Sequence, residues 1–297
     1  MISSCRRPIA GVPFAIACLW CSLMSATAWG QVFNDGAPHV VNAYLPFVDV
    51  FNGGSPNRPT TLTVAAGANI SFLDVWQTSI ADARGGEISH VFMYDGSQFL
   101  GNGTHISHVN LYNSSTGEVH SGLLEHFRAY DQSRATIHGG EIGFLSALGL
   151  APDGGNPAPF GHSEIDVFGG DVGLLRAAVG GVVNMYGGTV SSINPFDGGT
   201  SNIHGGTLND MTLNPGTLTR VFGHGFDLTF NRYIFDTPEY RLTGTLSEGS
   251  PINCPVLLVS GAVLRLVPEP ASIQLGLFSV VAVGCVCNAR RRRPPGN

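Results

Sequence analysis

Between Gly67 and Phe222 the apolar and polar positions follow a short unit that keeps returning: a glycine pair, a polar residue, then an aliphatic one. The copies are Gly85-Gly86-Glu87-Ile88, Gly139-Gly140-Glu141-Ile142, Gly169-Gly170-Asp171-Val172, Gly187-Gly188-Thr189-Val190 and Gly205-Gly206-Thr207-Leu208, with looser ones at Gly67-Ala68-Asn69-Ile70 and Thr116-Gly117-Glu118-Val119. The steps from 67 to 85, 169 to 187 and 187 to 205 are 18 residues each, and 85 to 139 is 54. Laid out from 67, 85, 116, 139, 169, 187 and 205, the fourth residue of every unit is aliphatic (Ile70, Ile88, Val119, Ile142, Val172, Val190, Leu208). The seventh (Leu73, Val91, Gly122, Leu145, Leu175, Ile193, Met211) and the next-to-last (Ala83, Ser114, Ile137, Val167, Met185, Ile203, Val221) are mostly apolar. A period near 20 residues with inward columns separated by glycine and polar positions predicts an all-β solenoid, a right-handed parallel β-helix of about seven coils of ~18 or more residues. Each inward side chain would stack on its equivalent about 4.8 Å away in the next coil. The glycines would supply corners where a Cβ is costly.

The units divide the chain. Residues 31–66 hold short apolar runs among turn-rich pieces and read as N-terminal cap strands, shielding the apolar interior and the unpaired backbone edge of an end coil. Residues 67–222 are the repeats. Three units exceed 18 residues, and the clearest insertion, Ala151 to Pro159, carries prolines that cannot join a strand ladder and should leave as a surface loop. After Phe222 the period fades; Phe226–Phe230, Tyr240–Leu246 and Pro255–Leu266 read as strands of a C-terminal cap, 223–266.

Composition narrows the function classes. There is no lysine among the 297 residues, and from Gln31 to Pro270 nine arginines face all 21 acids, a net of −12. So acidic a body argues against nucleic acid, whose phosphates need a basic surface. Five of the six cysteines lie near the termini and only Cys254 falls in the body, so no intrachain disulfide framework is expected there.

The ends address the protein. Residues 1–30 read as a signal peptide for a Sec-type translocon: Arg6 and Arg7, an apolar run from Ile9 to Met24, and a small-residue cleavage site between Gly30 and Gln31. At the other end Pro268-Glu269-Pro270 leads into Ala271–Ala289, 19 residues that as a helix would just span a bilayer, followed by Arg290, Arg291, Arg292 and Arg293, which would stay cytoplasmic.

A Pro-Glu-Pro triplet, an apolar helix and a terminal arginine cluster, in that order over 267–297, resemble the PEP-CTERM sorting signal of bacterial envelope proteins. The glycine-rich repeats also look like those of planctomycete-type families that carry this signal. The resemblance implies an exosortase-type processing enzyme as partner, with Pro268, Glu269 and Pro270 as recognition residues. It also implies a transient stay in the inner membrane before the body reaches the cell surface or the extracellular space.

Candidate chemistry is sparse. The polar residue after the glycines forms a carboxylate column (Glu87, Glu118, Glu141, Asp171), in which Glu141 and Asp171 would lie about 5 Å apart, near the separation used by retaining glycosidases. Clustered carboxylates also suit weak Ca²⁺ binding. A solvated charged face would show the same column, so no catalytic residue, no metal ligand set and no other cofactor are expected. The ten histidines fit no zinc spacing: His105 and His108 with His90 match no known pattern. His138 and His204 precede a glycine pair and share that coil position with Phe168, Tyr186 and, before Gly223, Phe222, a stacked ring row that would lie against sugar faces. The expected role is a structural or adhesive surface or matrix protein in contact with extracellular polysaccharide. Two other readings fit the same residues, a polysaccharide lyase or glycosidase on the β-helix and a calcium-binding repeat protein.

Overall fold

The computed structural model describes residues 30–53, 58–149 and 161–269. The expected signal peptide before Gly30, the insertion 151–159, Pro270, the apolar segment 271–289 and Arg290–Arg293 lie outside the described residues. Within them the chain is all-β, a large mixed sheet of 21 strands, and no helix among the described residues is long and apolar enough to cross a membrane.

In chain order the strands are β1 (Gln31–Phe33), β2 (Pro38–Val41), β3 (Tyr44–Val50), β4 (Thr61–Val64), β5 (Asn69–Val75), β6 (Ile80–Ala83) and β7 (Glu87–Met93). Then come β8 (Gln98–Leu111), β9 (Thr116–Tyr130), β10 (Arg134–Ile137), β11 (Glu141–Leu148), β12 (Glu164–Val167), β13 (Asp171–Ala178) and β14 (Val182–Met185). The last are β15 (Thr189–Ile193), β16 (Thr200–Ile203), β17 (Thr207–Leu213), β18 (Leu218–Ile234), β19 (Thr237–Leu246), β20 (Pro251–Leu258) and β21 (Val263–Pro268).

They pair as two interleaved parallel ladders. A short ladder of four-residue segments runs β4, β6, the start of β8, the start of β9, β10, β12, β14, β16, β18. A longer one runs β3, β5, β7, the ends of β8 and β9, β11, β13, β15, β17. In the long ladder 69, 87, 105, 123 and 141 are successive partners, then 171, 189 and 207. Between 69 and 207 the step is therefore 18 residues everywhere except once, between 141 and 171. This corrects the unit starting at Thr116: Thr116 pairs with Gln98 and Arg134 on the short ladder, so Gly117 is not a corner. The corners in the 54-residue interval are built instead at Gly103 (φ +86°) and Gly122 (φ +114°). Two of the three expected insertions disappear with this correction. Ser114, an expected inward residue, is accordingly exposed.

Alternation selects the core. Second and fourth positions of the short ladder (Leu62, Val64; Ile165, Val167; Val183, Met185) and second, fifth and seventh of the long one (Ile70, Leu73, Val75; Ile88, Val91, Met93) are buried in one cluster. Each fully buried aliphatic contributes about 1.5–3 kcal/mol, most of it offset by backbone ordering. Volume is traded between the ladders: a Cβ on Gly117 would meet Phe127 Cζ at 2.9 Å and Leu111 Cδ1 at 3.0 Å, so the glycine makes room for the Phe127 ring. On the outer face of the short ladder a polar column ties successive strands. Asn184 donates to Asp166 (2.7 Å), Asn202 to Asn184 (2.8 Å) and Arg220 to Asn202 (3.1 Å).

The ends differ from the expected caps. Residues 31–66 are not a separate cap: β2 pairs in parallel with β4, and β3 with both β1 and β5, so these strands continue the ladders. At the other end β18 runs on past Phe222 into an antiparallel hairpin with β19, which pairs with β20. The chain then returns to both ladders, the end of β20 beside β17 and β21 beside β18. Pro268 closes β21 opposite Gly223, and the Glu269 amide donates to the Gly223 carbonyl at 2.9 Å.

Candidate functional site

The residue that follows each short-ladder segment still carries its hydrogen bond. The amides of His138, Phe168, Tyr186 and His204 each donate to the carbonyl of the preceding segment's last residue at 2.8 Å. That bond holds the side chains in register, and what projects from this position is a row of rings: His120, His138, Phe168, Tyr186, His204 and Phe222. Successive centroids are 4.9, 5.7, 4.9, 5.0 and 4.1 Å apart, with interplanar angles of 6° to 16°. His120, His138 and Phe168 are exposed, Phe168 to 49%, and the other three are half-buried.

The glycine pair explains why this row exists. A Cβ on Gly139 would stand 2.6 Å from the His120 carbonyl oxygen, so the first glycine lets the chain pass close over the preceding ring residue's backbone. The second, Gly140, turns the corner at φ +96°. With no side chain at either position, the rings border a strip of bare backbone on that side, reached at Gly205 by the Glu248 side chain. At its C-terminal end the row meets the β19–β20 turn, where the Ser247 amide donates to the Phe222 carbonyl (3.0 Å) and that of Glu248 to the His204 carbonyl (3.3 Å). Burial there pushes the His204 imidazole below the usual histidine range, against the opposing pull of Glu269 and Glu248. Burial first, then Asp166 and Glu164, raises the Tyr186 phenol.

The expected carboxylate column is only partly brought together. Glu141 and Asp171 are register partners, both exposed, and neither forms an ion pair among the described residues. Glu87 is separated from them by His105 and Leu123; its partner on the other side is Asn69, whose amide donates to it at 3.3 Å. Glu118 does not belong to the column. It sits on the short ladder between Leu100 and Thr136, and its Oε1 faces His120 Nε2 (3.0 Å) and His138 Nε2 (3.3 Å).

Two further ring rows escaped the sequence reading. Phe47, Phe72, His90, His108, His126 and Phe144 follow one another on the long ladder, the three histidines stacked at 4.7 and 4.8 Å. Phe51, Trp76, Tyr94, Tyr112 and Tyr130 stack at the next corner, 4.0 to 6.0 Å apart. Behind the latter, Gln77, Asp95, Asn113 and Asp131 all take positive φ, between +54° and +61°, a conformation Asn and Asp adopt more readily than most. The signal was present, since 90, 108, 126 and 144 and again 76, 94, 112 and 130 are 18 apart. Six of the ten histidines thus belong to rows rather than being scattered, and His105 stands apart, 3.6 Å from Glu125.

Fold and rows define an all-β repeat protein that displays stacked rings on its outer faces. Comparison with protein-family models, with curated proteins and with solved structures finds no match to this chain.

Proposed function

We propose that this is an exported structural or adhesive protein of the cell surface or extracellular matrix, wound as a right-handed parallel β-helix, that holds extracellular polysaccharide along the His120–Phe222 row. The observation that carries the reading is that row: six rings stacked with successive planes 6° to 16° apart, three of them exposed. Stacked in this way the rings cover one another's faces and present a regular band of ring edges, imidazole nitrogens and the Tyr186 hydroxyl among them, which suits the C–H and O–H groups of sugar residues. The acidic body favours neutral or cation-bridged glycans over polyanions met directly. Sorting by a PEP-CTERM-type signal at 267–297, read by an exosortase-type enzyme through Pro268, Glu269 and Pro270 after export through the Sec translocon, is part of the same proposal. It rests on the resemblance of that segment alone. The test is co-sedimentation of the purified full chain with the host's exopolysaccharide. Phe168→Ala and Tyr186→Ala should each lower the pelleted fraction several-fold without changing the far-UV spectrum. An unchanged fraction in the double variant would end the reading.

A second reading is favoured by one observation, the Glu141–Asp171 register pair: a glycosidase or lyase on the same scaffold. It requires new sugar ends to appear with the parent chain and to vanish in Glu141→Gln. The calcium-binding reading requires a melting temperature that rises with millimolar Ca²⁺.

A further inference from the structure

At the N-terminal end of the ring row two of its members, His120 and His138, stand beside a carboxylate, Glu118, that the polysaccharide reading does not use. Glu118 is an outward residue of β9, His120 follows two residues later, and His138 is the next ring along the row. Glu118 Oε1 lies 3.0 Å from His120 Nε2 and 3.3 Å from His138 Nε2, and the three donor atoms are within 4.8 Å of one another. The imidazole planes are 6° apart with centroids at 4.9 Å. Nothing in this arrangement depends on a loop. Glu118 pairs in register with Thr136, and the His138 amide bonds the Val119 carbonyl at 2.8 Å, which fixes the two histidines side by side.

We propose that Glu118, His120 and His138 bind a divalent transition-metal ion, with Zn²⁺ the best fit. Two imidazole nitrogens and one carboxylate oxygen form a ligand set typical of zinc, and imidazole disfavours Ca²⁺ and Mg²⁺. Geometry agrees with the chemistry. Tetrahedral Zn²⁺ with bonds of about 2.0–2.1 Å places its ligand atoms ~3.3–3.4 Å apart, and the two histidine–carboxylate separations, 3.0 and 3.3 Å, are already close to that edge. The ion therefore takes the place of the close contacts that Glu118 Oε1 makes with the two rings, after small rotations of exposed and half-buried side chains. The two histidines and the glutamate keep 46%, 41% and 38% of their side-chain surface, so the remaining coordination positions face solvent. Such an open three-ligand site on the surface should bind at micromolar rather than nanomolar concentration. Affinity should fall as pH drops, because the ion competes with protons for its ligand atoms. Two of the ligands are also rings of the proposed sugar row, and metal is titrated without sugar, so failure of one reading is distinguishable from failure of the other.

The experiment titrates Zn²⁺ into the purified full chain after its accessible thiols have been alkylated, buried Cys254 being out of reach, and metal has been stripped, with heat as the readout. Co²⁺ absorption reports the geometry. One equivalent is expected, with four-coordinate Co²⁺ bands. His138→Phe, which keeps a ring in the row, should abolish it, and Glu118→Gln should weaken it tenfold or more. His108→Phe, in the separate histidine row, should leave it unchanged. Absence of stoichiometric binding, or one equivalent that survives in His138→Phe, or one lost in His108→Phe, overturns the assignment. Matching far-UV spectra of parent and variants ensure that a loss is not unfolding.

Discussion

Lowering the pH from 7.5 to 5.5 should loosen the body through His108, stacked between His90 and His126. Their rings are held 4.7 and 4.8 Å apart by the long-ladder register, and the Nδ1 atom of each is buried without a hydrogen-bond partner among the described residues. His108 lies between the other two. Burial first, then His90, His126 and Arg128, holds its imidazole below the ordinary histidine range, with only Glu125 pulling the other way. The sign follows from the lowered value. The unfolded chain takes up a proton at about pH 6.5, before the folded chain does, so stability is full above that pH and declines as pH falls through it. Two unit charges 4.7 Å apart repel by ~0.9 kcal/mol in water and ~3.5 kcal/mol at an effective dielectric of 20. The row is partly open to solvent, so the lower end applies, about 1 kcal/mol, which for a folded body of this size is ~2–4 °C in Tm. The assay is differential scanning calorimetry of the parent and of His108→Phe, whose ring matches Phe72 and Phe144 in the same row. The parent should lose ~2–4 °C more than the variant between pH 7.5 and 5.5. An equal loss in both would refute the reasoning, since the other titrating groups are common to them.

Ile203→Asp places a carboxylate at a fully buried position of the short ladder and should cost enough to unfold the body; a retained far-UV β spectrum would mean that the inward face is misassigned. Gly140→Ala forces a Cβ onto φ +96° and to 2.9 Å from the Gly122 carbonyl oxygen, so it should destabilise by about 1–3 kcal/mol, read as a lower urea midpoint at unchanged m. Cys254 is buried and its thiol is pushed up to about 12, so at pH 8 iodoacetamide should modify it only after denaturation, as followed by peptide mass.

The ring row was legible from His138 onward because four of those five rings precede a Gly-Gly pair, which is conspicuous, and the fifth, Phe222, precedes Gly223. It became illegible at His120, where a single glycine, Gly122, turns the corner, and at the Asn102-Gly103 corner before it. That one ambiguity moved Glu118 into the wrong column and hid its contact with two histidines. The other two rows went unread because ring chemistry varies along them, Phe to His and Trp to Tyr, while the positional identity lies in the 18-residue step. The N-terminal strands were visible as strands but not as ladder members, since 38 pairs with 61 and 44 with 69, steps that no repeat length announces. At the C-terminal end the three strand segments were legible from alternation. Their antiparallel excursion and return to both ladders depends on contacts between residues such as Gly223 and Leu246 that share no period.

The uniform step between Asn69 and Glu141 has a consequence at the level of the gene. Because Asn69, Glu87, His105, Leu123 and Glu141 are equivalent positions 18 residues apart, an in-frame loss or gain of 54 nucleotides in this stretch rejoins every column without a seam. Misaligned recombination within one reading frame would then lengthen or shorten the outer ring rows by single members while leaving the interior equally filled. Descendants of such a chain can vary in reach without passing through a misfolded ancestor, and the span of the displayed surface becomes a trait that copy number alone can adjust.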